Sequence, residues 1–96
     1  MSGLRIYKLP YRVRIYINNQ VLIPASLVRT LNVANLRYAT ITFAHNGATI
    51  TIEGIKLLRT RHTDSRQFTI PREVREAYGI EPRDEIEIID IKPHNP

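Results

Sequence analysis

The sequence predicts a mainly β domain in which two similar halves close a six-stranded barrel with pseudo-two-fold symmetry and two short helices. The chain has 96 residues, the size of one domain. Several segments alternate apolar and polar residues with the period of two that half-buried strands require. A phrase built around Ile-Pro occurs twice, with Pro24 and Pro71 standing 47 residues apart. One half alone would leave exposed sheet edges, which closure by a second half removes.

The first half, about residues 11–43, is predicted to contain three strands and one helix. The order is strand 11–17, turn 18–19, strand 20–23, helix 24–31 and strand 39–43. Pro24 suits the first helical turn because its missing N–H is not needed there. Leu27 and Leu31 are expected to face the core, and Asn32 is expected to end the helix in the left-handed conformation.

The second half, about residues 48–91, repeats this order after a hairpin turn at Asn46-Gly47, where both residues tolerate positive φ. Its predicted elements are strand 48–52 with an extension to 61, turn 62–65, strand 67–70, helix 71–78, turn 82–84 and strand 85–91. Gly54 predicts a bulge or bend. Val74 and Tyr78 predict an apolar helix stripe that ends at Gly79. Residues 92–96 are expected to be a flexible tail.

Composition excludes some classes of protein. The chain has no cysteine, which excludes disulfides and thiolate metal sites. No apolar run approaches the roughly 20 residues of a membrane span, and the N-terminus is too polar for a signal peptide. We therefore expect a soluble cytoplasmic protein. His45, His62 and His94 lack a metal-ligand spacing, and no phosphate loop or nucleophile elbow occurs. We expect no catalysis, no metal and no cofactor.

The charge is unevenly distributed. The net charge is +5 and the isoelectric point is about 10.0, which favours an anionic partner such as nucleic acid. Residues 1–52 carry six basic and no acidic residues, whereas residues 53–96 carry eight basic and nine acidic residues. A long stretch without carboxylates indicates an electropositive face. The alternative is that an ordinary solvated surface has this composition by chance.

The order strand, Ile-Pro, helix, Gly-Ile, turn and strand resembles the AbrB/MazE/SpoVT superfamily of prokaryotic DNA-binding domains. Residues 67–89 (QFTIPREVREAYGIEPRDEIEII) match that pattern best, and residues 20–52 look like a second copy. In that family two chains usually interleave as a swapped-hairpin dimer. With both copies in one chain, this protein is similar to the monomeric RIFT-type cradle-loop barrels of archaea. The resemblance implies a monomer that binds double-stranded DNA, with a domain-swapped dimer as the alternative.

Eight arginines are the candidate DNA contacts: Arg12, Arg14, Arg29, Arg59, Arg61, Arg66, Arg72 and Arg75. The first two project from a strand, and residues 59 and 61 stand 47 positions later. Two pseudo-symmetric arginine strands would contact phosphates on successive segments of a duplex. The helix arginines, with those near the start of the second helix, would extend this surface. The alternative is that all of them solvate the outside of the barrel.

The sequence leaves three functions open. The leading hypothesis is an AbrB-like DNA-binding protein, acting as a transcriptional regulator. The second is an antitoxin-like protein-interaction module whose acidic last strand, with Glu85 and Glu87, docks a basic protein. The third is a small-molecule or enzymatic barrel, because related cradle-loop barrels include archaeal riboflavin kinases. Tyr11 and Tyr16 are candidates for base stacking, whereas Tyr78 is expected in the core.

Overall fold

The fold is described by a computed structural model that covers residues 8–60 and 63–94. Within these residues the chain forms seven strands and two short helices, in the order β1 (Tyr11–Arg14), β2 (Gln20–Ile23), α1 (Ala25–Thr30), β3 (Tyr38–His45), β4 (Ala48–Lys56), β5 (Leu58–Arg59), β6 (Arg66–Thr69), α2 (Arg72–Tyr78) and β7 (Glu85–Pro93). The prediction of a mainly β fold with two short helices is confirmed.

The strands form two antiparallel sheets. The first sheet has the order β1-β7-β3-β4, and the second has the order β2-β6-β5. Strand β4 pairs with β3, but the chain bends at the buried Leu57 and then joins β6 as β5. The described sheets are not closed: β1 and β4 are the edges of one, and β2 and β5 are the edges of the other. The single closed six-stranded barrel of the prediction is not seen among the described strands.

Both sheets contribute to one apolar core. The fully buried side chains come from the two sheets, α1 and the connecting turns, and the largest are Phe43, Phe68, Ile15, Ile23, Leu27, Ile41, Ile70, Ile86, Ile88, Val21 and Val28. Burying each such side chain stabilises the fold by about 1.5–3 kcal/mol relative to exposure. The predicted alternation is confirmed on β3, where every second residue faces this core, and at Ile86 and Ile88 of β7. Beyond Ile88 a register shift interrupts it, and the next buried residue of β7 is Ile91.

Two glycine-containing turns set the shape of the first sheet. Asn46 and Gly47 have φ of 47° and 81°, which is the combination a type I′ hairpin requires. Gly54 has φ of 70° and lies at a register shift, since Ala39 pairs with Ile55 but Ile41 pairs with Ile52. The predicted hairpin and the predicted bulge are both confirmed.

The two helices differ in burial although they share the Ile-Pro phrase. Helix α1 buries Leu27 and Val28, while no residue of α2 is buried. Tyr78 is 48% exposed, so the prediction that it lies in the core is wrong. Buried residues Ile70 and Ile80 anchor α2 from its two ends, and its side chains therefore do not need to enter the core.

The ends of β1 and β7 differ from the sequence prediction. Strand β1 stops at Arg14, because the Tyr16 N–H donates to the Gln20 carbonyl and turns the chain. Ile17 consequently points outward and is 70% exposed. Strand β7 continues to Pro93, which pairs with Ala39, so the predicted tail begins too early. Residues 95–96 lie outside the described chain.

The strands that the 47-residue offset equates pair with one another. In the second sheet Val21 of β2 lies opposite Phe68 of β6, the residue 47 positions later. In the first sheet β3 pairs antiparallel with β7, its equivalent. Strands β1 and β5 are also equivalent by the 47-residue offset, but they lie in different sheets and do not pair. Strand β1 pairs with β7, whereas the strand that pairs with β3 on its other side is β4.

Candidate nucleic-acid interface

The β1 arginines lie on the outer face of the first sheet, as predicted, but acidic residues surround one of them. Arg12 lies 3.8 Å from the Glu85 carboxylate and 3.7 Å from the Glu87 carboxylate on β7. Arg14 donates from Nη1 to the main-chain carbonyl of Arg83 at 3.1 Å. Exposed ion pairs contribute little to stability, but two neighbouring carboxylates offset the charge that Arg12 presents to a polyanion.

The predicted pairing of arginine strands is not seen. Arg59 lies on β5 in the second sheet, whereas Arg12 and Arg14 lie on β1 in the first. Arg61 lies outside the described residues. The 47-residue match in sequence therefore does not place Arg59 at the position equivalent to Arg12. The reason is the bend at Leu57, which sends the chain from β4 into the other sheet.

Arg66 is not a surface residue. Only 6% of it is exposed, and its guanidinium donates to the carbonyls of Asp64 at 2.7 Å, Ser65 at 3.1 Å and Ala34 at 2.8 Å. These bonds tie the turn before β6 to the loop after α1. Its expected role as a DNA contact is wrong, since the guanidinium donors are turned inward to main-chain oxygens.

The arginines of α2 also have partners within the protein. Arg72 Nε lies 3.3 Å from the Glu76 carboxylate one helical turn away, in a pair whose side chains are 77% and 66% exposed. Arg75 Nε donates to the Ile70 carbonyl at 3.0 Å and so links the helix to the end of β6. Arg72 remains accessible to a ligand, whereas Arg75 has a structural role.

Arg29 and Arg59 lie on either side of one cavity. The cavity has a volume of about 400 Å³ and is lined by Ala25, Arg29, Arg59, Thr63 and Asp64. Arg29 Nη1 donates to the Asp64 carboxylate at 3.1 Å. The structure therefore brings together two of the predicted arginines, from α1 and β5, at one cavity in which the carboxylate pairs with Arg29.

Two further cations that the sequence did not single out lie where β4 ends, just before the strand that carries Arg59. The Leu57 N–H donates to the Arg37 carbonyl at 2.8 Å, and Lys56 pairs with Tyr38 across β3 and β4. Arg37 and Lys56 are exposed. Along the described chain, neither of them nor Arg59 has a carboxylate within 4.0 Å. We call Arg29, Arg37, Lys56 and Arg59 the basic edge.

A signal for the basic edge was present in the sequence. Arg37 belongs to the stretch without carboxylates, and Lys56 follows the Gly54 bulge. The proximity of Arg37 to Lys56 could not be predicted from the sequence, because it depends on the register of β3 against β4. Tyr38 is 46% exposed opposite Lys56, so it is an accessible aromatic at this position.

His45 was also missed as a structural residue. Its side chain is 3% exposed, and Nε2 lies 2.9 Å from Asp84 Oδ2, joining the β3–β4 hairpin to the turn before β7. Asp84 Oδ2 accepts a second hydrogen bond, from the Glu81 N–H at 2.9 Å. These interactions, the main-chain bond first and His45 second, lower the pKa of the Asp84 carboxyl.

The tyrosines considered for stacking differ in accessibility. Tyr16 is 48% exposed, while Tyr11 is half-buried. Burial raises the pKa of the Tyr11 phenol, and the neighbouring Tyr16 raises it further. Of the two, Tyr16 is the one whose ring a base could reach.

The described part of the chain shows neither a metal-ligand cluster nor a membrane-spanning helix. No group of three or more His, Asp or Glu side chains is placed to hold a metal ion across residues 8–60 and 63–94. In the same residues no helix has the length and apolar character needed to cross a membrane.

Comparisons with known proteins identify no relative. No family model matches the chain, and no curated protein and no solved structure is significantly similar to it. Function must therefore be inferred from the site alone.

Proposed function

We propose that this protein binds double-stranded DNA through the basic edge, Arg29, Arg37, Lys56 and Arg59. The proposal depends on the small number of carboxylates close to the four cations of the basic edge. Asp64 is the one described carboxylate within 4.0 Å of any of these four cations. On β1, by contrast, Arg12 has two carboxylates as neighbours. An anionic polymer is attracted where positive charge is least offset.

The physical basis is release of counterions from the duplex. Each phosphate neutralised by a cation changes the slope of log K against log salt by roughly −0.9, so four cations give a slope of roughly −3.6. Between 50 and 200 mM salt, this slope corresponds to a loss of roughly 100-fold in affinity. Such binding depends little on sequence, because phosphate contacts carry no base information.

Anisotropy titration with a random fluorescent duplex, repeated across that salt range, tests the proposal. We expect Arg37→Gln/Lys56→Gln/Arg59→Gln to weaken binding and to reduce the slope by roughly three. The matched control is Arg12→Gln/Arg14→Gln/Arg72→Gln, which removes the same charge elsewhere and should have a smaller effect. If the wild type does not bind at low salt, or if salt has no effect, the DNA proposal is abandoned.

The proposal extends to the relationship of this protein with other folds. We propose that the chain is an internally duplicated relative of AbrB-type regulators, in which the two sheets are a flattened and incompletely hydrogen-bonded cradle-loop barrel. The antiparallel pairing of β2 with β6 and of β3 with β7 supports this relationship, because a two-fold axis relates each pair. On this relationship, we propose that the protein is a monomeric transcriptional regulator of an archaeal cytoplasm.

A protein-interaction module is the second candidate. The observation that favours it is the exposure of Tyr16 and Ile17, at 48% and 70%, in the turn after β1. An acidic docking strand is less well supported, because Glu85 and Glu87 already face Arg12. The DNA titration separates the two candidates, since a module of this kind would show no salt-dependent binding to a duplex.

A further inference from the structure

Two arginines face each other across the β5–β6 ladder. Arg59 and Arg66 are direct register partners, so their Cα atoms lie opposite one another. Like charges directly opposite each other in a sheet are destabilising. Within the described residues, no carboxylate lies within 4.0 Å of either guanidinium. An anion bound beside them would relieve this repulsion.

The buried member of this pair also builds the local geometry. Arg66 donates to the Asp64 and Ser65 carbonyls and to the Ala34 carbonyl. A buried cation needs such hydrogen bonds, and these three pair the guanidinium with main-chain oxygens without neutralising its charge. They also fix the main chain of Asp64, whose carboxylate accepts from Arg29 at 3.1 Å.

The cavity lined by Arg59 has the character of an anion site that is occupied by a side chain. Arg29 and Arg59 line it from two elements, and Asp64 supplies one negative charge. The Arg29 and Asp64 side chains are 57% and 42% exposed, so an incoming anion can reach both. The Thr63 hydroxyl already contacts the Thr60 and Ser65 hydroxyls, so it is held as part of the cavity wall.

We propose that this cavity binds a single phosphate group through Arg29 and Arg59, and that Asp64 is an internal competitor that the phosphate displaces. Guanidinium groups form paired hydrogen bonds with phosphate oxygens, and a phosphate offers more acceptors than one carboxylate. Binding is purely non-covalent. If the phosphate is part of DNA, this inference rests on the proposed function. A free phosphate would make the same contacts with Arg29 and Arg59.

NMR titration with inorganic phosphate tests the site directly by following the amide signals of residues 25–29 and 59–65. We expect Arg59→Gln to weaken phosphate binding roughly tenfold, because a charge-assisted hydrogen bond is lost. Arg72→Gln is the matched control, since it removes one exposed charge outside the cavity, and it should change the affinity little. Equal losses in the two variants would overturn the site.

The competitor role of Asp64 has its own readout. Asp64→Asn keeps the shape of the turn but removes the competing charge, and we expect phosphate to bind roughly threefold tighter. A merely structural role for Asp64 predicts no gain, and weaker or unchanged binding would overturn the competitor role. Circular dichroism of each variant shows whether the fold is retained.

Two further titrations identify the source of the phosphate. An oligonucleotide with a 5′-phosphate is compared with the same oligonucleotide lacking it, and a mononucleotide with its nucleoside. Preference for the terminal phosphate assigns the site to phosphate ends, and equal binding of both oligonucleotides assigns it to the backbone. If DNA binds with steep salt dependence but inorganic phosphate and phosphate ends do not shift these signals, this inference fails while the proposed function stands. If inorganic phosphate binds but a duplex does not, the phosphate site stands and the proposed DNA-binding function fails.

Discussion

At the scale of single residues, the basic side chains of Arg66 and His45 are buried and make different hydrogen bonds. Arg66 donates three hydrogen bonds to main-chain carbonyls, which leave its charge in place. His45 bonds Asp84 through Nε2, and its Nδ1 has no hydrogen-bond partner among the residues that the structure describes. An unpaired buried polar atom lowers the free energy of unfolding. The bond to Asp84 is the hydrogen bond that holds the His45 ring in place. Neither residue could be recognised from sequence spacing.

Asp84→Asn should make the stability depend less on pH. The folded-state pKa of Asp84 is lowered below its unfolded value, so its stabilising contribution is complete above about pH 4 and is lost as pH falls through the folded pKa. We expect the variant to be about 1 kcal/mol less stable than wild type at neutral pH. The difference should narrow at pH 3, as measured by urea unfolding at both values.

Glu53→Gln is the control for this experiment, because Glu53 is exposed and makes no ion pair among the described residues. It should leave stability nearly unchanged at either pH. A difference between Asp84→Asn and wild type that is equally large at pH 3 would show that the carboxylate charge is not its source.

At the scale of elements, the two copies of the Ile-Pro phrase produce helices with different tasks. Position 28 of α1 is a buried valine, and the position 47 residues later is Arg75, which bonds the Ile70 carbonyl. Helix α1 therefore packs into the core. Helix α2 is held at its ends and by this arginine. The same periodicity in sequence led to one prediction for both helices, and only the packing distinguishes them.

Leu27→Ala and Val74→Ala form a matched pair at equivalent positions of the two helices. Leu27 is fully buried, so its truncation should cost about 2–5 kcal/mol through lost burial and an added cavity. Val74 is half-buried, and its truncation should cost less than about 1.5 kcal/mol. Urea denaturation measures both. Equal costs would contradict the difference in burial between the helices.

At the scale of the whole molecule, one chain supplies both sheets and the core between them. The pairs β2–β6 and β3–β7, each joining the two halves of the chain, form within a single molecule. Such pairing within one chain favours the prediction of a monomer. The basic edge lies where the chain passes from the first sheet to the second, so the distribution of charge on the surface also depends on this arrangement.

Light scattering should therefore give the mass of one chain, 11.1 kDa, at all accessible concentrations. The physical reason is that the strand pairs an exchanged dimer would form are already made within the chain. A stable mass of twice this value would indicate exchange of halves between two chains. It would contradict both the monomer and the intramolecular pairing on which the proposed duplication depends.

The sequence by itself determined the local elements, because their causes are local. Alternating β-branched residues, the Asn46-Gly47 turn and the left-handed stops at Asn32 and Gly79 act within a few residues. It also determined that Arg12 and Arg14 face outward, since the period of a strand fixes the side of each residue.

Tertiary structure alone decided which residues meet. The bend at Leu57 separates Arg59 from the strand of Arg12, although the two match in sequence. Burial turned Arg66 from a surface candidate into a structural residue, and the register of β3 with β4 brought Lys56 to the side of Arg37. The physical reason is that register and burial depend on contacts between distant segments, whose free energies no short stretch of sequence contains.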